Sequence, residues 1–465
     1  MVLACENTSS TAFGAYSLSM SNDTATVEFP PGPTGLPVVG SMPASVLGGL
    51  EFRERMADEY GDIVHWERPG GHVYQLNHPD DIEHVLVQNN GNYRKGEQFQ
   101  QVLGPFTGNG ILNSEGEEWR RNRHLVQPAF HPDRIEVYAG MMTDLTDDLL
   151  DGWADGETRP IHEEMMELTL RIVSQALFGV DIDRYVDEIE SAINTFLPAT
   201  SSLSNLMLPE SVPLPSRWRM ARARETLDGV VDDIIRQKRA DPGEDVVSML
   251  LKARDDDGNP LSDEQIRDEA ITLIAAGHET TAVSLTYTTY LLAQHPAIER
   301  KLVDELDAVL DGERPTMGDL SDLTYTEKVV QESMRLFPPV PGIVREATEA
   351  DEIGDYTIPA GANIFLNQWV VHRDSRWYDD PLAFEPERWT DEFQRSLPHL
   401  AYFPFSAGPR RCIGDRFAML EARLILAMIY QDYHLELASD RNIEVIPTVT
   451  SRPKEEILMG IHRRN

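Results

Sequence analysis

Three short stretches of this chain combine residue types and spacings that can do chemistry. The first is Phe405-Ser-Ala-Gly408-Pro-Arg410-Arg411-Cys412-Ile-Gly414, an irregular loop that runs into an apolar pattern of helical spacing. A thiol beside a helix start gains from the first-turn N–H groups and the helix dipole, and adjacent guanidinium groups favour its ionised form. Gly408 and Gly414 allow a close approach of backbone to a flat ligand. A thiolate held this way is suited to a single soft metal ion. The second stretch is Ala276-Gly277-His278-Glu279-Thr280-Thr281. It sets an acid beside an alcohol, a pair able to hand protons inward, and Gly277 can let a helix widen locally. The third is Glu332-Ser-Met-Arg335, followed by Pro386-Glu387-Arg388-Trp389. Glu332 and Arg335, one helical turn apart, can pair as carboxylate and guanidinium. Trp119 and Arg123 stand one turn apart on a helix face, where an arginine can bind a carboxylate in bidentate fashion.

The decamer around Cys412 resembles the haem-binding signature of the cytochrome P450 family, F-x-x-G-x-R-x-C-x-G, at every fixed position. The 276–281 stretch resembles that family's oxygen-activation motif, and Glu332, Arg335 and Arg388 resemble its Glu–Arg–Arg triad, which implies a buried network of structural value. The resemblance covers residues 30 to 460 and implies a mainly α fold with small β-sheets, the cytochrome P450 fold. It implies haem b (iron protoporphyrin IX), with Cys412 as the metal ligand and Phe405, Gly408, Gly414, Ala276 and Gly277 beside the cofactor. Trp119, Arg123, Arg345 and Arg410 would hold its propionates, with Lys95 a further candidate. Thr280 and Glu279 would be catalytic, delivering protons. The implied activity is a monooxygenase that inserts one atom of O2 into a lipophilic substrate such as a fatty acid or isoprenoid. Alternatives are a peroxide-using haem-thiolate enzyme and a non-catalytic haem or gas-binding protein. Phe99, Phe106, Leu206, Val340, Ile343 and Val449 are the expected lining of the substrate pocket. Electrons are expected from a separate ferredoxin-type or flavoprotein donor, because only 53 residues follow Cys412. That donor would dock on Arg120, Arg121, Arg416 and Arg423.

The elements that must position these groups sit in a chain of 465 residues, 41% hydrophobic, large enough for a substantial core. There are 78 acidic against 41 basic side chains, a formal charge of −37. Such a field repels polyanions, so nucleic-acid binding by phosphate neutralisation is excluded. Only 6 of the basic residues are Lys. An acidic, lysine-poor surface suits a halophilic protein, kept soluble where salt screens self-repulsion. Cys5 and Cys412 are the two cysteines, too few for a disulfide framework or a Cys-built zinc site. No apolar run is long enough for a membrane span, and no basic leader opens the chain, so a cytoplasmic location is expected.

Residues 1–28 are expected to be an unstructured extension and 29–465 a single haem domain. Apolar spacing of three and four predicts helices over 50–60, 137–151, 161–178, 217–239, 244–254, 296–310, 323–337 and 413–431. Ser262 with Gln265 is a capping box that opens a long helix, 262 to 294, ending before Pro296. Residues 63–67 and 72–76 read as a hairpin, and 343–347, 356–358 and 363–366 as short strands. The glycine-rich stretch 98–115 and the Pro/Ser-broken stretch 196–215 read as loops.

Overall fold

The computed structural model describes residues 28–464 apart from 38, 70, 180–183, 201–211 and 255–257. The expected extension over residues 1–28 lies, except for Glu28, outside the described residues, as does Leu206. Fifteen α-helices are described: α1 (Met42–Tyr60), α2 (Pro79–Glu83), α3 (Glu97–Thr107), α4 (Gly116–Val126), α5 (Pro132–Asp151), α6 (Ile161–Phe178), α7 (Val186–Thr200), α8 (Pro215–Ala240), α9 (Val246–Lys252), α10 (Asp263–Gln294), α11 (Pro296–Leu310), α12 (Thr324–Leu336), α13 (Gln368–Val371), α14 (Asp391–Ser396) and α15 (Asp415–Asp432).

The long helix α10 organises the rest. Ser262 Oγ accepts the Gln265 N–H at 3.2 Å, and Gln265 Oε1 accepts the Ser262 N–H at 3.0 Å, so the start is fixed from both sides. Its 32 residues span about 48 Å, and 22 of them are buried. Polar residues survive at this depth by bonding back along the helix: Thr286 donates to Ala282 O and Thr288 to Ser284 O, each at 2.7 Å. Helices α6, α12 and α15 pack around it, and Leu168, Ile172, Leu285, Met334, Ile425 and Ile429 share one core cluster.

The described strands form small sheets. The largest has the order β1 (Ile63–Arg68), β2 (Gly71–Leu76), β8 (Asn363–Leu366), β5 (Ile343–Ala347) and β3 (Tyr93–Arg94); β8 runs parallel to β2 and the other pairs are antiparallel. A second joins β4 (Thr158–Pro160), β12 (Leu458–Arg463) and β9 (Tyr433–Leu437). Two hairpins complete the set, β6 (Asp351–Ile353) with β7 (Tyr356–Ile358) and β10 (Val445–Pro447) with β11 (Ser451–Pro453).

Two expectations need correction. Residues 97–107 are helical, not loop: Phe99, Val102, Leu103 and Phe106 present one apolar face, and Pro105 falls in the last turn before Gly108 ends the helix. Glycine content alone suggested the loop. Likewise Phe196 lies within α7, where Ile189, Ala192, Ile193 and Phe196 are buried together, so the expected loop from 196 begins too early.

Candidate functional site

The loop carrying Cys412 is built on close backbone approach. Gly408 has φ +67, and a Cβ there would stand 1.9 Å from Leu86 O, so only glycine fits. Its missing side chain therefore serves packing of the loop on residues 84–88 and not the approach of a ligand. Gly414 caps α15 and has ordinary space around it, with Phe130 at 3.6 Å from a built Cβ. The Cys412 N–H donates to Phe405 O at 2.9 Å, closing the loop. The side chain of Cys412 is accessible, although many protein atoms surround it. Burial pushes its thiol up; the Gly414 N–H, Arg123 and Arg411 favour the anion but do not outweigh burial and Asp415. The helix start and the two arginines thus act toward the anion, in the direction expected, against burial. A cation bonded to the sulfur would complete the ionisation.

Cationic side chains gather nearby with few anions to match. Arg345 is 7% exposed, and its guanidinium donates only to Val344 O among the described residues. Burial, with Arg410 alongside, pushes it down to about 10, so it stays charged at neutral pH. Lys95 is equally buried; desolvation, then Arg410 and Arg345, hold its pKa well below the usual lysine range. Arg410 lies over the Trp119 ring at 4.4 Å and pairs with Glu115. Arg123 donates to Arg411 O at 2.8 Å, directly behind the cysteine. The expected carboxylate-binding residues are therefore brought together, and Glu115 is a member that sequence reasoning missed.

On α10, Ala276 is exposed although the helix is otherwise buried around it, and Ala275, Gly277 and Thr280 are half-buried. The helix is thus open to solvent at these residues. Thr280 Oγ1 donates to Ala276 O at 2.8 Å. Gly277 faces the other way: a Cβ there would meet Val173 of α6 at 2.8 Å, so the glycine admits the neighbouring helix. Helix α10 runs unbroken through it, without the expected local widening. Glu279 is buried and bonded away from Thr280, to Thr450 and Arg452.

Glu332 and Arg335 on α12 are wholly buried, as predicted for the network. Arg335 donates Nη2 to Glu332 Oε1 at 2.8 Å and Nε to Oε2 at 2.9 Å, and Arg388 Nε reaches Oε1 at 2.9 Å. Trp389 adds its indole N–H to Oε2 at 2.9 Å, a contact with no signal in the motif. Arg335 also donates to the carbonyls of His372, Pro381 and Ala383, so one residue ties together the segment leading toward Cys412.

The Cytochrome P450 family model matches residues 30–459 of this chain. The chain is a cytochrome P450. Cyclooctatin synthase of Streptomyces melanosporofaciens is 34% identical over 433 residues, covering 91% of this chain and 92% of that protein. Pentalenene oxygenase of Streptomyces avermitilis is 31% identical over 424 residues, 90% and 94% of the two chains. Among solved structures, retinoic acid bound cyanobacterial CYP120A1 superposes with a TM-score of 0.85 at 26% identity, covering 94% of this chain and all of that one. The P450 fold and an oxidoreductase activity follow, as does the haem cofactor.

The residues of this P450 fit that cofactor. An accessible cysteine, an accessible stretch of α10 at Ala276, and buried basic side chains short of anions would suit an iron-binding thiolate, the porphyrin and its propionates. Of the expected pocket lining, Phe99, Val340, Ile343 and Val449 are half-buried, whereas Phe106 is buried and stacked on Phe196 at 4.0 Å. Arg423 is not a surface docking cation: it is turned inward onto Leu320 O and Leu323 O and pairs with Glu327 at 3.2 Å. Arg120 pairs with Glu117, while Arg416 is exposed. No helix among the described residues is long and apolar enough to cross a membrane.

Proposed function

We propose that this cytochrome P450 oxygenates a lipophilic, isoprenoid-type substrate, with electrons from a separate ferredoxin-type or flavoprotein donor and a cytoplasmic location. The opening of α10 at Ala276 and Thr280, within an otherwise buried helix, is the observation that carries the reading. Cys412 would bind the haem iron as a thiolate; Arg345, Arg410, Lys95 and Arg123 would hold the propionates, with Trp119 stacked on Arg410. Haem, when bound, supplies the redox chemistry by which RH, O2, two electrons and two protons become ROH and H2O. The chain's own work is to orient the substrate, exclude water and deliver the protons. Thr280 keeps its hydroxyl hydrogen on Ala276 O, which leaves its oxygen lone pairs available on the open side. Glu279, the adjacent acid, would recharge that site with protons from solvent. Phe99, Val340, Ile343 and Val449 supply apolar walls, which select for hydrocarbon bulk. The relatives named for cyclooctatin and pentalenene favour cyclic isoprenoids over linear fatty acids.

The test is a screen of cyclic terpenes and fatty acids for a substrate-induced Soret shift, followed by turnover under isotopically heavy O2. A cyclic terpene should shift the band and leave with one heavy oxygen atom. A shift by linear fatty acids alone, or product oxygen derived from water or peroxide, would contradict the proposal.

A further inference from the structure

Glu279 is 2% exposed, and both donors to its carboxyl act on a single oxygen. Thr450 Oγ1 donates to Oε1 at 2.6 Å, and Arg452 Nε donates to the same atom. Oε2 takes no donor among the described residues. Arg452 is the one cation ion-paired with Glu279 among the described residues, and its side chain is 17% exposed. Its Nη1 reaches Asn194 Oδ1 of α7 at 3.3 Å, and Asn194 is exposed to solvent. Its Nη2 is buried with no acceptor, and His278 Nε2 close by is likewise unsatisfied. Burial first, then the charge of Arg452, drives His162 and His278 down to about 4, so both are neutral at neutral pH. Arg452 Nη2 and His278 Nε2 have no protein partner among the described residues, so water is the partner left to them, and ordered water is what a proton path needs.

The hairpin that carries Thr450 and Arg452 also carries Val449 of the expected pocket lining. Val449, in its turn, packs against the apolar cluster of α3, α7 and α10. Ser451 donates its N–H to Pro339 O and its hydroxyl to Pro338 O, each at 2.8 Å, fixing the hairpin to the segment before Val340.

We propose that Arg452 and Thr450 are positioning residues for the acid Glu279, and that protons enter this P450 from the Asn194 side past Arg452. The proposal rests on the reading that Glu279 supplies Thr280. With Oε1 clamped, Oε2 takes a proton from water, passes it toward Thr280, and returns to the carboxylate, still paired with Arg452. Each cycle thus moves a proton and leaves the clamp unchanged. Without the clamp the carboxyl is free to turn, and reducing equivalents are lost to peroxide before protons arrive.

The experiment compares Arg452→Gln, Arg452→Lys, Thr450→Val and Glu279→Gln holoenzymes for product formed per electron pair, peroxide released and solvent deuterium isotope effect. Arg452→Gln should bind substrate within about twofold of wild type while its coupling falls by about tenfold or more and its isotope effect rises. Arg452→Lys should recover at least about half of the coupling, because it restores the charge. Thr450→Val, which keeps the volume, should lower coupling in the same direction, and it decides the matter if Arg452→Gln fails to hold haem. Glu279→Gln combined with Arg452→Gln should be no worse than Glu279→Gln alone. Wild-type coupling in both Arg452→Gln and Thr450→Val, or no recovery with Lys, overturns the positioning role while an impaired Glu279→Gln leaves the relay reading standing. Wild-type coupling in Glu279→Gln overturns both.

Discussion

Replacing Glu332 by Gln should destabilise this P450 more than any exposed charge change. Glu332 has no exposed surface and accepts five hydrogen bonds: from Arg335 Nη2 at 2.8 Å, Arg388 Nε at 2.9 Å and the Glu385 N–H at 3.1 Å on Oε1, and from Arg335 Nε and Trp389 Nε1, both at 2.9 Å, on Oε2. Glutamine keeps one carbonyl oxygen for the first three. Its NH2 group then points at the last two donors, which lose their acceptor. Arg388 retains Glu385 at 3.1 Å, but Arg335, 0% exposed, is left as a buried charge without a carboxylate. Breaking one side of a buried pair costs about 3–5 kcal/mol, roughly 10²–10⁴ in the ratio of folded to unfolded protein. Urea unfolding in molar KCl, followed by circular dichroism and Soret absorbance, measures it. Arg388→Gln should cost less than Glu332→Gln, because the Glu332–Arg335 pair survives. An unfolding free energy for Glu332→Gln within about 1 kcal/mol of wild type would refute the reasoning.

Thr280→Ala should retain substrate binding and divert most reducing equivalents to peroxide or water, since general acid catalysis is worth about 10²–10⁴-fold; unchanged coupling of electrons to product removes the assignment. Glu269→Gln should flatten the pH dependence of stability. Burial pushes the Glu269 carboxyl up to about 8, so the native state holds a proton that the unfolded chain loses near its ordinary value of 4.5. The folded state binds more protons in that window, and stability therefore falls as pH rises from about 4.5 to about 8. Thermal unfolding at both ends should show the variant gaining on wild type toward pH 8, and a constant difference would contradict this. Finally, a KCl titration from molar to about 0.05 M should lower helical circular dichroism or release haem, because −37 charges repel one another when screening fades. Stability unchanged over that range would defeat the halophilic reading.

Local chemistry made much of this molecule legible in its residues. The Ser262–Gln265 box sets the start of α10 by bonds between neighbours, and Pro296 closes it, so both ends could be read directly. The Glu332 triad was readable because each member is fixed by a short motif. What sequence could not show depends on contacts between distant segments. Gly408 serves Leu86, more than 300 residues earlier, and Gly277 serves Val173. Arg423 sits in a basic stretch, yet the carbonyls of Leu320 and Leu323 draw it inward. Glu279 was identifiable as an acid beside an alcohol, but its clamp comes from residues 450 and 452, which carry no motif. Helix α3 was hidden because Gly104 within it, with Gly108 and Gly110 just beyond, outweighed the spacing of its four apolar residues.

The reduced, CO-treated spectrum of the haem-loaded protein, with Cys412→His beside it, tests the central claim most directly. Wild type should show the red-shifted Soret band that a thiolate opposite CO produces, and Cys412→His should lose it while keeping haem. A freshly prepared, folded wild-type protein whose band lies where histidine-ligated haem absorbs would contradict the account.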